Sequence, residues 1–210
     1  MTIILFSLNN TLIKGNVMKT LALRYRFYYE LNRLRTNLKN GLISQKQFLR
    51  EKIRLLKGKR VGDITNVLKG ISVTPNAKKA LNNLRNEGFK IGLISDDPEI
   101  IIKNFAEIFK LDFVICNNAE IRNGRFTGKI RFAKNIDDYE NWKKEVVKEL
   151  KKNDGSEIIT VGSESIDAPM LREANIGIAF NASKKAKKAA DIVIDEPDMD
   201  EVLNSILESE

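Results

Sequence analysis

The stretch APMLREANIGIAF, residues 168–180, contains the sequence signals that decide the fold. Asp167 comes directly before it, and aspartate is a preferred residue at the N-cap of a helix. Residues 176–180 are a continuous apolar run, which is typical of a strand buried on both faces of a parallel sheet. The stretch therefore predicts a helix that leads into a buried strand.

The same alternation extends outward in both directions along the chain. Residues 3–6 are another continuous apolar run, and residues 89–94, 112–116, 157–161 and 192–194 are further predicted strands. Helices are predicted between them, with Thr74-Pro75 and Asp97-Pro98 as helix starts and a longer helix over residues 139–152. Alternating strands and helices predict an α/β fold with a parallel sheet covered by helices on both faces. Sites in such sheets form at the carboxyl ends of the strands.

A helical insertion interrupts this alternation after the first strand. Apolar residues at helical spacing predict one helix from residue 18 to 38, and Ser44 with Gln47 forms a capping box for a second. A short helix over residues 64–68 follows. We therefore predict a core formed by residues 1–14 and 71–210 and a helical cap formed by residues 15–70.

The charge is concentrated on this insertion. The chain has 36 Lys and Arg against 28 Asp and Glu, but residues 14–70 hold 15 basic residues and only three acids, Glu30, Glu51 and Asp63. A charge-driven partner would therefore meet the insertion first.

The composition excludes several kinds of chemistry. The 210 residues include no histidine and one cysteine. Histidine triads, histidine metal cages and an internal disulfide framework are therefore excluded. No apolar run is long enough for a signal peptide or a membrane span, which predicts a cytoplasmic protein without a membrane partner.

Polar residues follow three of the predicted strands. Ser7, Asn9 and Thr11 follow the first strand, Ser95 follows the strand over residues 89–94, and residues 162–167, GSESID, follow the strand over residues 157–161. Because the carboxyl ends of parallel strands meet at one edge, we expect these residues to surround one site.

This arrangement resembles the haloacid dehalogenase superfamily, and within it the phosphoserine phosphatase-like branch. The polar strand ends, the cap after the first strand, the Asn123-Gly124 turn and the stretch 168–180 all contribute to the resemblance. The resemblance implies a Rossmann-like core with a small helical cap, and a phosphatase that uses Mg²⁺.

The resemblance also implies a role for each position of the first loop and the last loop. Family members carry Asp-x-Asp-x-Thr on the first loop, where one aspartate attacks phosphorus and the other protonates the leaving oxygen. Here Ser7 and Asn9 stand at those two positions, and Thr11 is retained. Ser163 stands where the last loop would hold a metal-binding aspartate, while Asp167 remains. Glu164 could partly replace the lost acid.

The phosphate-binding positions of the family are kept. Ser95 matches the phosphate-binding hydroxyl and Lys143 the phosphate-binding lysine, although Lys144 stands beside it. Thr11 and Ser163 are expected to support ligand binding. Asp167 with neutral oxygens predicts only weak Mg²⁺ binding, because Mg²⁺ prefers several carboxylates.

The sequence therefore predicts a non-catalytic or weakly active binder of a small phosphorylated or anionic ligand. One alternative is an active phosphomonoesterase in which Glu164 and Asp167 hold Mg²⁺. Another is nucleic-acid binding through residues 15–70, where arginines alternate with aromatic residues in a pattern that suits phosphate contacts and base stacking. These aromatic residues could equally pack between the helices of the cap.

Overall fold

The computed structural model describes residues 1–136 and 138–209. Asp137, Glu210 and the side chain of Asp154 lie outside the described residues, and the first two fall within the predicted core range. Within the described part of the chain, seven strands form one sheet: β1 Thr2–Phe6, β2 Lys90–Pro98, β3 Phe113–Arg122, β4 Arg125–Arg131, β5 Glu157–Gly162, β6 Ile176–Phe180 and β7 Ile192–Ile194.

Ten helices accompany the sheet in the same described ranges: α1 Val17–Arg24, α2 Tyr28–Lys39, α3 Gln45–Arg54, α4 Val61–Leu68, α5 Ala77–Asn86, α6 Glu99–Phe109, α7 Trp142–Asp154, α8 Ala168–Glu173, α9 Lys184–Lys187 and α10 Met199–Glu208. The strand order is β4-β3-β2-β1-β5-β6-β7, and every neighbouring pair is parallel except β3 with β4. The predicted α/β class is confirmed.

The sheet separates two apolar clusters. Ile4 and Phe6 of β1 belong to one cluster and Ile3 and Leu5 to the other, as alternation along a strand requires. All four side chains are at most 1% exposed. This burial on both faces explains why residues 3–6 of β1 are an unbroken apolar run.

The register of the central strands brings the predicted polar loops together. Phe6 of β1 lies opposite Leu93 of β2 and Val161 of β5. The residues that follow these three positions therefore leave the sheet at the same edge, as the sequence predicts.

The helices between β1 and β2 pack against the rest of the chain. The Gly58 N–H donates to the Phe126 carbonyl at 2.8 Å, and the Phe126 N–H donates to the Lys59 carbonyl at 3.0 Å. One apolar cluster also continues from the sheet into α2, α3 and α4. The division into a core and a cap at residues 15–70 stays a prediction.

The predicted helix over residues 18–38 is two helices. Arg26 has a left-handed φ of 60°, and the Phe27 N–H donates to the Ala22 carbonyl at 3.0 Å. This bond spans five residues and ends α1 in the manner of a Schellman motif. The apolar spacing continues across the break, which is why the sequence pattern does not show it.

Two predicted helix starts are also displaced. α5 begins at Ala77, after a left-handed Asn76, whereas the Thr74 hydroxyl donates to the Thr11 carbonyl at 2.6 Å. α6 begins after Pro98, and the Asp97 side chain pairs with Lys52 rather than capping the helix. In both cases the side chain that the local sequence predicts at the helix start instead bonds to a residue that is distant in the sequence. The capping box of Ser44 and Gln47 is confirmed.

Candidate functional site

A cavity of about 820 Å³ lies at the carboxyl ends of β1, β2 and β5, beneath helices α1 to α3. It is lined by six of the eight residues that the sequence predicts for the site: Ser7, Asn9, Ser95, Lys143, Glu164 and Asp167. Thr11 and Ser163, which are 0% and 3% exposed, lie behind the wall. The structure therefore brings all eight predicted residues together.

Three hydroxyl groups form a chain behind the β1 loop. Ser163 Oγ lies 2.6 Å from the Phe180 carbonyl, Thr11 Oγ1 lies 2.8 Å from Ser163 Oγ, and Ser7 Oγ lies 2.7 Å from Thr11 Oγ1. The Asn10 carbonyl also lies 2.9 Å from Ser163 Oγ. Carbonyls only accept, so Ser163 gives its single proton to these two oxygens, Thr11 donates to Ser163, and Ser7 donates to Thr11. The proton of Ser7 is therefore directed away from the cavity and towards a hydroxyl that is too weak a base to activate it.

Lys143 and Asp167 form a buried ion pair. Lys143 Nζ donates to Asp167 Oδ1 at 2.6 Å, and the two side chains are 4% and 1% exposed. Burial alone would lower the pKa of Lys143, but the carboxylates of Asp167 and Asp96 offset this, so its pKa lies above the ordinary value. Lys143 is therefore a fixed positive charge in the cavity wall.

The second oxygen of Asp167 is also occupied. Asp167 Oδ2 accepts the backbone N–H groups of Ser163 and Glu164, each at 2.9 Å. Both oxygens of this carboxylate are thus held by donors within the protein.

The donors at this edge do not fit the Mg²⁺ that the family resemblance implies. Among the described residues, no group of three or more His, Cys, Asp or Glu side chains could hold a metal ion. The β1 loop offers Ser7 and Asn9, which are neutral, and both oxygens of Asp167 are occupied. Mg²⁺ sites in proteins depend on carboxylates that are free to coordinate.

Glu164 joins the β5 loop to the β1 loop and to the start of α1. Its Oε1 accepts from Asn10 Nδ2 and Asn16 Nδ2, each at 3.0 Å, and Asn16 is the N-cap residue of α1. Burial and the neighbouring Asp167 carboxylate raise the pKa of Glu164 to about 7. The raised pKa favours the neutral carboxyl, which weakens Glu164 further as a metal ligand.

The raised pKa of Glu164 predicts a pH-dependent stability. The folded protein holds this proton up to about pH 7, whereas the unfolded chain loses it near the ordinary value of 4.5. The stabilisation is therefore complete below pH 4.5 and is lost as the pH rises to 7, and it amounts to about 2 kcal/mol after allowance for partial exposure. Urea titrations between pH 4.5 and 8 should show this slope in the wild type. Glu164→Gln should lack it, and an equal slope in that variant would contradict the assignment.

A second buried ion pair, which the sequence did not predict, closes the wall between α3 and β2. Lys52 Nζ lies 3.1 Å from Asp97 Oδ1, and Asn9 Nδ2 donates to Asp97 Oδ2 at 2.9 Å. Asn9 Oδ1 accepts from the Val17 N–H at 2.9 Å, at the start of α1. The signal for Lys52 is its place on the buried face of α3, four residues after Phe48.

Basic side chains outnumber acidic ones around the cavity. Among the described residues, six basic side chains line it against four acidic ones: Lys19, Arg35, Lys39, Lys52, Lys143 and Lys185 against Asp96, Glu140, Glu164 and Asp167. The Lys52 and Lys143 charges are paired within the protein, whereas Lys19, Lys39 and Lys185 are exposed. The cavity therefore favours an anion, with exposed lysines among the residues that line it.

The aromatic residues of the basic segment differ in their surroundings. Lys59 Nζ lies 4.4 Å from the centre of the Tyr25 ring and 5.7 Å from that of Phe27, so these two rings have a cation within the protein. Tyr29 is 77% exposed. Tyr29 is therefore the most open of these three rings, Tyr25 is partly buried and Phe27 is buried.

No helix in the described ranges is long and apolar enough to cross a membrane.

The fold and site together define a class. A parallel α/β sheet carries a polar, anion-favouring cavity at its carboxyl edge, and a set of helices inserted after β1 covers that cavity. A family model described as haloacid dehalogenase-like hydrolase matches residues 2–172, and a second model with the same description matches residues 142–206. The chain belongs to the haloacid dehalogenase-like hydrolase family.

Several phosphoserine phosphatases are similar to this chain. The enzyme of Lactococcus lactis is 30% identical over 209 residues, which cover 97% of this chain and 94% of the relative. The enzyme of Methanocaldococcus jannaschii is 26% identical over 207 residues, covering 97% of each. The enzyme of Archaeoglobus fulgidus is 31% identical over 192 residues, and there the match spans 90% of this chain but only 55% of the relative.

Solved structures show the same likeness. A phosphoserine phosphatase with a phospho-aspartyl intermediate analogue superposes with a TM-score of 0.84 and 26% identity, and the match covers 97% of each chain. A substrate-bound complex of a phosphoserine phosphatase superposes equally well. The predicted membership of the superfamily and its resemblance to phosphoserine phosphatases are thereby confirmed.

Proposed function

We propose that this chain binds a small phosphorylated molecule in the cavity at the carboxyl edge of the sheet and hydrolyses it weakly or not at all. The observation that carries the proposal is that the Asp167 carboxylate is already hydrogen-bonded within the protein. This is the one acid retained among the positions where the resemblance implies carboxylates, and Lys143 and two backbone N–H groups hold both of its oxygens. With about three of its four acceptor sites in use within the protein, Asp167 offers little to a metal ion.

Two groups at the cavity suit a phosphate. Ser95 Oγ accepts the Asp97 N–H at 3.1 Å, and within the described part of the chain no acceptor is bonded to its hydroxyl proton. Lys143 donates one of its three N–H groups to Asp167, which leaves two for a ligand. A hydroxyl donor and a fixed ammonium make charge-assisted hydrogen bonds to a phosphate without requiring Mg²⁺.

Ser7 and Asn9 do not supply the two reacting groups that hydrolysis by the family's chemistry requires. Ser7 directs its proton to Thr11, and Asn9 has an amide that binds Asp97 and cannot donate a proton as an acid. The alternative of an active phosphomonoesterase would require Glu164 and Asp167 to exchange their present partners for Mg²⁺. The positively charged cavity and the phosphate-acting relatives support ligand binding in either case.

The test is calorimetric titration of the full chain with inorganic phosphate, with and without Mg²⁺. We expect binding of similar affinity in both conditions, and we expect Ser95→Ala to weaken it about tenfold, since the lost bond is to a charged group. Ser165→Ala is the matched control. Its hydroxyl lines the same cavity but donates to Ser183 Oγ at 3.1 Å, so phosphate affinity should stay unchanged.

A turnover assay with p-nitrophenyl phosphate tests the alternative of an active phosphomonoesterase. Robust Mg²⁺-dependent hydrolysis that disappears in Asp167→Asn would overturn the non-catalytic assignment and support the phosphomonoesterase alternative.

Nucleic-acid binding through residues 15–70 and a cytoplasmic location stay predictions. Exposed Arg24, Arg26, Arg33 and Tyr29 are the groups that would carry the first of them.

A further inference from the structure

The Asp97 carboxylate fills a position that would otherwise accept an anion. Lys52 and Asp97 are 9% and 1% exposed in their side chains, so neither charge is compensated by bulk water. Asp97 Oδ1 takes the Lys52 ammonium and Asp97 Oδ2 takes the Asn9 amide. Two donors, one from α3 and one from the β1 loop, thus converge on a single carboxylate supplied by the protein.

The backbone explains why Asp97 reaches this position. The pairing of β2 with β3 shifts register between Ser95 and Pro98, so the two aspartates between them stand in an irregular segment of the strand. Asp96 accepts from Trp142 Nε1 at 2.7 Å, and Asp97 turns to Lys52. A strand irregularity of this kind re-aims side chains beside a site.

This position adjoins the proposed phosphate site. The Asp97 N–H donates to Ser95 Oγ, the hydroxyl proposed to bind phosphate, and both Asn9 and Lys52 line the same cavity. A phosphate ester with a neighbouring carboxylate would need positive or hydrogen-bonding groups here. Lys52 and Asn9 are such groups, but Asp97 already neutralises the Lys52 charge and accepts one N–H from each of them. Asp97 is 0% exposed and lies behind the cavity wall, where its carboxylate cancels the attraction of Lys52 for a ligand carboxylate.

We propose that Asp97 determines specificity by acting as an internal carboxylate. It satisfies Lys52 and Asn9, so the cavity selects phosphate monoesters of amines or polyols that carry no carboxylate and rejects phosphoserine. This inference rests on the proposed function, because it requires a phosphate bound beside Ser95.

The test compares O-phosphoethanolamine with O-phosphoserine, which differ by one carboxylate. Calorimetric titration of the wild type should show at least about tenfold tighter binding of O-phosphoethanolamine. Asp97→Asn releases the Lys52 ammonium while keeping the side-chain shape. In this variant O-phosphoserine should gain at least about tenfold in affinity, because its carboxylate replaces the lost partner of Lys52. O-phosphoethanolamine should change little.

Two further variants separate the specific effect from general charge and from folding. Glu140→Gln removes one negative charge from the same cavity without releasing Lys52, so the ligand preference should persist. Lys52→Met/Asp97→Asn removes both buried charges and keeps the test available if Asp97→Asn does not fold. In the double variant the two ligands should bind within about threefold of each other, because neither the repelling nor the attracting group remains.

Equal binding of the two compounds by the wild type, with phosphate bound, would overturn the inference and leave the proposed function intact. A wild-type preference that survives in the double variant would also overturn it. If neither compound nor inorganic phosphate binds, the proposed function is wrong and the inference falls with it.

Discussion

Asp167→Ala is expected to lower the free energy of unfolding by about 3–5 kcal/mol, the range seen when one partner of a buried ion pair is removed. The substitution leaves the Lys143 ammonium, now 2.6 Å from Asp167 Oδ1, without its hydrogen-bonded partner in a buried site. It also leaves the N–H groups of Ser163 and Glu164 without their acceptor. Urea titration at neutral pH measures the loss.

The double variant Lys143→Met/Asp167→Asn is the control for this loss. It removes both charges, and the asparagine oxygen can still accept the two N–H groups, so most of the lost stability should return. The sign of the Asp167→Ala effect also bears on function. Acids gathered to hold a metal repel one another in its absence, so removing one of them tends to stabilise a protein. A gain of stability in Asp167→Ala would therefore contradict the structural role assigned here and favour a metal site.

The convergence of the site could be predicted because it depends on strand order alone. Once the apolar runs ending at Phe6, Ile94 and Val161 are taken as parallel strands, their following residues must meet at one edge. The pairing of Phe6 with Leu93 and Val161 confirms this. Seven of the eight predicted residues follow these strands and therefore come together, whereas Lys143, on α7, was assigned by the family resemblance.

The contacts themselves depend on tertiary placement. Asp97 before Pro98 favours a helix start by its local sequence, yet a lysine 45 positions earlier takes its side chain. Thr74 likewise bonds the β1 loop instead of a helix N-terminus. A single-residue left-handed turn at Arg26 splits one predicted helix while the apolar spacing runs on. Local propensity decides these positions only where no distant partner competes for the same group.

Gly177→Ala, within the stretch that decides the fold, is expected to lower the free energy of unfolding by at least about 3 kcal/mol. A Cβ there would lie 2.2 Å from the Leu171 carbonyl oxygen and 2.8 Å from its carbon, which are backbone atoms that cannot rotate away. Helix α8 would have to move off β6, and α8 directly follows Asp167. Gly62→Ala in α4 is the matched control, because its Cβ meets nothing within 4 Å. That variant should be neutral or more stable by up to about 1 kcal/mol. Equal urea midpoints for the two variants would show that the approach of α8 to β6 does not depend on a glycine at this position.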